Sequence, residues 1–255
     1  MKHIKKKYLF QIDSNNDIVN NWEIVPNSSK QPIKVPKDKA LFITTDNDIA
    51  IRAFSLNTKS GSAIMPIPDL TLVYFDSAYT LNRERKILES KLLEKIIPNN
   101  NRYGEDATNE IYHFYGNASG IIIFLFTSLE SFINHILPDD KKYVSSTDKN
   151  TTIFNKIQIQ RNISFDKKLK EVLPQLLEGK NFFKNQTTTN QHITNLKQLR
   201  DELIHTKSDL TFSNQESLIK RLLNFKYDDT FQAVTKFMNF YIPEYIEECK
   251  CGKDF

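Results

Sequence analysis

Gln198-Leu199-Arg200-Asp201-Glu202-Leu203-Ile204-His205 carries apolar and ionisable residues at helical spacing, and its reading decides the fold of the C-terminal two thirds of the chain. Ile193, Leu196, Leu199, Leu203 and Ile204 recur as one apolar stripe of a helix. At about 100° per residue, Arg200 falls on the flank of that stripe, while Asp201 and His205, four positions apart, project together from the opposite side. A permanent cation with a planar donor fork, a carboxylate and a group that titrates near neutrality therefore share one turn. Such a set can hold a phosphate and move a proton. The same residue types are also the ordinary pattern of a solvated helical face, and spacing alone leaves both readings open.

Upstream, Ala118-Ser119-Gly120-Ile121-Ile122-Ile123-Phe124-Leu125-Phe126-Thr127-Ser128-Leu129-Glu130-Ser131-Phe132-Ile133-Asn134 predicts a long helix over Asp106 to Leu137. Gly116 and Gly120 are candidate kinks in it. Ile121 to Phe126 is apolar all round, so that turn calls for enclosure by other helices or by a partner chain. Leu125, Leu129, Phe132, Ile133 and Ile136 form a core face, while Thr127, Glu130 and Asn134 line up on another. That second face either lines a cleft beside Arg200 and His205 or forms a partly exposed polar stripe.

These two segments together resemble the HEPN superfamily. Arg200-Asp201-x-x-x-His205 is similar to its Arg-polar-x(n)-His motif, in which four to six residues separate Arg and His and the polar residue is commonly Asn, Asp or His. The Ala118 to Asn134 run, with its Leu-Glu-x-Phe-Ile-Asn ending, is similar to the long first helix of many members, and the order of the two fits. The resemblance covers residues 105 to 248 and leaves the first hundred residues outside it. It implies an antiparallel helical bundle that forms a homodimer, with both copies of Arg200 and His205 lining one cleft. It further implies a metal-independent endoribonuclease of the toxin or phage-defence kind, with RNA as substrate, no cofactor, and an antitoxin or defence-system partner. His205 would act as general base or acid and Arg200 would clamp the phosphoryl oxygens. Asp201 would orient the imidazole and raise its titration, with Glu130, Asn134 and Lys207 as supporting or substrate-binding residues. Members that act only as binding or assembly modules are the alternative, and a structural helical dimer carrying the motif by chance is a third reading.

The bounds of the chain suit this expectation without requiring it. At 255 residues and 39% hydrophobic content, it can hold one large or two small domains with a sizeable core. Its net charge of +4, from 35 basic and 31 acidic residues, permits RNA binding through local patches only. Cys249 and Cys251 form a two-ligand pair where a structural zinc needs about four ligands, so a thiol-bearing tail is the expectation and no metal is assigned. The basic start, Met1 to Lys7, is followed by only Tyr8-Leu9-Phe10 before polar residues resume, and the run Ile121 to Phe126 is short for a bilayer span. A cytoplasmic protein without membrane partners is expected. No Gly-rich phosphate loop, His-Glu-x-x-His or Gly-x-Ser-x-Gly string appears in the sequence.

Residues 1–76 read as a small β-containing region of unreadable role, and 77–255 as the helical domain, so the fold class expected is α+β and predominantly α. Strands are expected over Lys7 to Ile12, Ile18 to Val25, Ala40 to Thr44, Ile49 to Leu56 and Leu70 to Phe75, separated by turn clusters and by Pro26, Pro32, Pro36 and Pro66. Trp22 is read as a core or strand residue. Thr80 to Ile97 predicts a charged helix whose Arg83 and Arg85 belong to a solvated face rather than an RNA contact. Beyond a connector over Pro138 to Asn150, helices are expected near Ile153 to Gln160 and Phe165 to Glu178. Ser213-Asn214-Gln215-Glu216 reads as a capping box opening another helix, and a last amphipathic helix runs from about Asp229 to Pro243.

Overall fold

A computed structural model describes residues 3–13, 28–29, 41–45, 47–96, 105–146, 148, 150–205 and 212–251. The chain divides into two compact units, one of Lys5–Val73 with Cys249–Gly252, the other of Met1–Ile4, Tyr74–Glu248 and Lys253–Phe255. The class is mixed α and β, with helix predominating and only small antiparallel sheets.

In the first unit, β1 (Gln11–Asp13), β2 (Ser28–Ser29), β3 (Leu41–Thr44), β4 (Ile49–Thr58) and β5 (Gly61–Pro66) form one antiparallel sheet. The long strand β4 organises it, pairing with β1, β3 and β5. Its alternation sends Ala53 to one face with Leu41 and Ile64, and Ala50 to the other with Phe42 and Ile12. Thr58 and Gly61 close the β4–β5 hairpin, and Gly61 takes a positive φ of 142°, which a side chain would resist. Sequence alternation did not announce β5, because Gly-Ser-Ala-Ile-Met-Pro is a weak strand former that β4 recruits by pairing. Trp22, Pro26, Pro32, Pro36 and the strand expected over Ile18 to Val25 lie outside the described residues.

Leu70 to Phe75 is not a strand. It is the start of α1 (Leu70–Ile96), which therefore begins ten residues before the predicted Thr80. Asp69 supplies the start signal, its carboxylate accepting from the Thr71 amide at 2.9 Å and its carbonyl from the Val73 amide at 3.0 Å. The β-branched and aromatic residues that suggest a strand here are overridden by that cap.

The helical unit is built on α2 (Thr108–Ile136), preceded by a short 3-10 turn at Glu105–Ala107. Phe114, Ala118, Ile121, Ile122, Leu125, Phe126, Leu129, Phe132 and Ile133 all point inward from it. By length and composition α2 could cross a bilayer, yet half of its most apolar stretch is buried within the chain. The turn Ile121 to Phe126 finds its cover in the same chain: Phe124 stacks on Tyr74 with centroids 6.4 Å apart, and Phe126 meets Phe165 at 4.9 Å. Only Ile123 is left 38% exposed there, so the turn does not need a second chain around it. Gly120 serves the approach of α1, since a Cβ on it would lie 2.9 Å from Leu81 Cδ1.

The connector after α2 holds a hairpin that the sequence reading missed, β6 (Tyr143–Ser146) with β7 (Thr151–Phe154), and Ile153 is in a strand rather than a helix. Next come α3 (Lys156–Asn162), opened by an Asn155–Gln158 capping box, and a continuous run of α4 (Phe165–Lys167), a π-turn (Lys168–Val172) and α5 (Leu173–Leu176). The chain closes with α6 (Thr188–Ile204), α7 (Ser213–Asn224) and α8 (Tyr227–Tyr241). Both α6 and α8 pack on α2 and on each other. The expected capping box at Ser213 does not form: Phe212 occupies the cap position with φ at 58°, and Glu216 pairs with Lys220.

Arg85 is also placed differently from its prediction. It is buried, with Nε donating to Asn82 Oδ1 at 3.1 Å, Nη1 on Glu89 at 2.7 Å, and its guanidinium 4.2 Å over the Tyr227 ring. Asn82 in turn donates to Asp228 at 3.0 Å, so this half of the charged helix ties α1 to α8 instead of facing water.

Candidate functional site

Helix α6 positions the predicted site. Thr187 caps its first turn by accepting from the Asn190 amide at 3.1 Å, and Ile193, Leu196 and Leu199 anchor its buried side. Leu203 is half-buried and Ile204 is 49% exposed, so the apolar stripe fades one turn before the helix ends. His205 is the C-cap residue, its amide donating to the Asp201 carbonyl at 3.0 Å.

Arg200 lies on the flank of the stripe, as the wheel predicts, but it is not a free cation. Its guanidinium sits 4.6 Å over the Phe126 ring, Nη1 donates to Asp201 Oδ1 at 3.0 Å, and Nη2 lies 4.0 Å from Glu130 Oε2. Phe126 and Glu130 are one turn apart on α2, so the long helix presents a ring and a carboxylate to the fork of Arg200.

The sequence reading gave Asp201 to His205. The structure gives its carboxylate to two cations instead: Oδ1 to Arg200, and Oδ2 to Lys197 Nζ at 2.9 Å. Burial alone would raise the Asp201 carboxyl, but these two hydrogen bonds and charges outweigh it and hold it below the usual carboxylate range. The same hydrogen bond keeps Lys197 above its ordinary value, with Asp166 adding a second carboxylate at 3.5 Å. The i,i+4 spacing of Lys197 and Asp201 is the sequence signal that marks this pair.

Asn134 is likewise committed. Its Oδ1 accepts from Lys168 Nζ at 3.1 Å, and the same amine donates to the Gln160 carbonyl at 3.1 Å. Lys168 is only 2% exposed. Burial pushes its ammonium below the ordinary lysine value, against an opposing pull from Glu130. Glu130 therefore stands between two cations, Arg200 and Lys168, on the polar face of α2. No periodicity marks Lys168, because a π-turn carries it inward out of register with the helix on either side.

On the other side of Asp201 lies a cleft of about 720 Å³ between α6 and α7. Gln198, Asp201, Glu202 and His205 line it from α6. Asn214, Ser217, Leu218 and Arg221 line it from α7, with Arg221 paired to Glu202 across the gap. His205 is exposed there, and its imidazole makes no hydrogen bond or ion pair among the described residues. The structure thus brings Asp201 and His205 to one cleft, and Arg200, Glu130 and Lys197 to the opposite side of the same carboxylate. Arg200 is not among the cleft residues, and Lys207 lies outside the described residues.

No protein-family model, curated protein or solved structure matches this chain. Cys249 and Cys251 form no disulfide among the described residues, and the second is exposed.

Proposed function

We propose that this chain is a metal-independent endoribonuclease with an HEPN-type helical bundle, acting as a toxin or defence effector in the cytoplasm. The observation that carries the reading is His205: an exposed, unpartnered imidazole at the end of α6, on a cleft that also holds Asp201, which is hydrogen-bonded to Arg200. RNA brings its own nucleophile. The 2′-hydroxyl oxygen attacks the adjacent phosphorus, the bond from phosphorus to the 5′-oxygen breaks, and a 2′,3′-cyclic phosphate and a 5′-hydroxyl result. His205 takes the 2′-proton, and a second acid, supplied by the His205 of a second copy in a homodimer, protonates the leaving oxygen. Arg200 offers its remaining donors to the non-bridging oxygens as charge builds on them.

Total RNA incubated with the purified protein in EDTA, beside the His205→Ala variant, tests this. Cleavage by the parent and not by the variant supports the reading; equal cleavage by both, or none by either, removes it.

A specific observation favours a second reading, a non-catalytic binding or assembly module. Arg200 is held by Asp201 and Glu130 of its own chain, and Ile204, Ile219 and Leu223 leave an apolar surface on α6 and α7, each at least 40% exposed. Both readings allow a second copy, so light scattering against a lone chain of 29.8 kDa tests the homodimer, and the RNA cleavage assay tells the two readings apart.

A further inference from the structure

The cleft between α6 and α7 is unusual in how its charges are spent. Glu202 is paired with Arg221, and Asp201 is bound from outside the cleft by Lys197 and Arg200. Among the described lining residues, each ionised group therefore has an opposite charge at hydrogen-bond distance. A phosphate entering here would meet two carboxylates and an arginine already engaged, and a cation would meet carboxylates already neutralised. What remains unpartnered among the described lining side chains carries no fixed charge: the Gln198 amide, the Ser217 hydroxyl and the His205 imidazole. Leu218 adds an apolar wall beside them.

An amide presents a donor and an acceptor side by side, the pattern that pairs with the edge of a nucleobase, and an aliphatic wall gives the flat face of the base something to cover it. Gln198 and His205 are seven residues apart on one helix, two turns, so they stand on the same face about 10 Å apart along the axis. The volume, about 720 Å³, lies within the range of small-molecule sites.

We propose that this cleft is a nucleobase-recognition site, in which Gln198 reads the edge of an unpaired base and Leu218 covers its face. It rests on the ribonuclease reading only in its consequence, which is that the base bound here belongs to the nucleotide whose 2′-hydroxyl His205 deprotonates. The phosphate then lies toward Arg200, outside the cleft, and the site divides its labour: neutral groups select the base and the cation receives the charge.

The test uses the full chain and free nucleosides, which carry no phosphate. Adenosine, guanosine, cytidine and uridine are titrated to millimolar concentration while the amide and imidazole resonances of Gln198 and His205 are followed by NMR. One nucleoside should shift both sets preferentially. Gln198→Ala should weaken that nucleoside by roughly five- to tenfold and level it with the others, the loss of one or two neutral hydrogen bonds. Leu218→Asp should abolish binding, with circular dichroism confirming that the half-buried position tolerates the change. Absence of any nucleoside-dependent shift, or equal shifts in the parent and Gln198→Ala, overturns the proposal. So does a response to spermidine in place of nucleosides, which would mark a cation site. Sequencing of RNA cut ends separates the two readings. Cleavage whose base preference survives Gln198→Ala defeats the base site and leaves the ribonuclease standing, whereas Gln198-dependent nucleoside binding without any RNA cleavage does the reverse.

Discussion

Arg200 and Asp201, neighbours in sequence, are joined by a 3.0 Å hydrogen bond, and the second oxygen of Asp201 is taken by Lys197 at 2.9 Å. The acid expected to serve the imidazole thus serves the guanidinium, and its neutralisation releases positive charge. Asp201→Asn is expected to tighten binding of a labelled RNA oligonucleotide by a few-fold at low salt, because Lys197 and Arg200 lose a competing anion. Binding isotherms over a range of NaCl should show a steeper salt slope for the variant. An unchanged slope would mean that neither cation meets RNA.

The same carboxylate makes an acid-side contribution to stability. Its titration in the folded chain is held below the unfolded value, so its stabilisation is present above about pH 4 and is lost as pH falls through the folded value. The side chain is 37% exposed and screened accordingly, so the contribution is about 1 kcal/mol or less. Urea unfolding of the parent and Asp201→Asn should differ at neutral pH and converge toward pH 2.

Lys168 predicts the opposite dependence. Burial depresses its titration in the folded chain, which means the charge is carried at a cost below that value and the cost is relieved as pH rises toward the unfolded value of about 10.5. The stability of the parent relative to Lys168→Met should therefore increase with pH on the alkaline side of neutrality. At neutral pH the methionine variant, which fills the same space without a charge, should lie within about 2 kcal/mol of the parent. Asn134→Ala is expected to do worse, by about 1–3 kcal/mol, because it leaves the buried ammonium with one acceptor fewer. Urea midpoints at neutral pH and near pH 9 decide both.

Tyrosines reverse the trend at higher pH. The Tyr227 hydroxyl donates to the Leu222 carbonyl at 2.7 Å, and burial raises its ionisation; burial also pushes Tyr241 up to about 12. Both stay protonated in the folded chain where the unfolded chain ionises, so their stabilisation is complete below about pH 10 and is lost as pH climbs beyond it. Tyr227→Phe should cost about 1 kcal/mol at neutral pH and should flatten the alkaline fall, read by unfolding at pH 9 and 11.

These groups also show where sequence reading works and where it stops. The buried stripe Ile193, Leu196 and Leu199, the long core helix α2 and the flank position of Arg200 are consequences of period alone, and period is local. The start of α1 was missed because a single Asp69 cap overrode six residues of strand-like composition. β5 was missed because its own residues are weak strand formers and pairing with β4 sustains it, whereas β6 and β7 are strand formers of only four residues each, too short for alternation to mark them. At the site, residue types and the i,i+4 spacing of Lys197 and Asp201 were legible, but the partners made between helices were not. Asp201 has Lys197 and Arg200 within reach as well as His205, and only the fold decides which two it binds. Lys168 stayed invisible because a π-turn sets its direction.

On the ribonuclease reading proposed above, Arg200 and His205 differ in what their removal costs the fold. His205 is exposed and bonds through its backbone amide, so His205→Ala should abolish RNA cleavage with thermal unfolding unchanged within about 0.5 kcal/mol. Arg200→Ala should abolish cleavage as well, but it also removes the cation over Phe126 and one of the two cations flanking Glu130, at a cost of about 1–2 kcal/mol. Arg200→Lys restores the charge but not the planar fork, so it should recover stability in part and activity poorly. Where the parent cuts, the internal nucleophile requires 2′,3′-cyclic phosphate and 5′-hydroxyl ends. Polynucleotide kinase should therefore label the products directly. Products that accept label only after phosphatase treatment carry 5′-phosphates; they would show that an activated water, not the 2′-hydroxyl, attacks, and the role given to His205 would fall with that result.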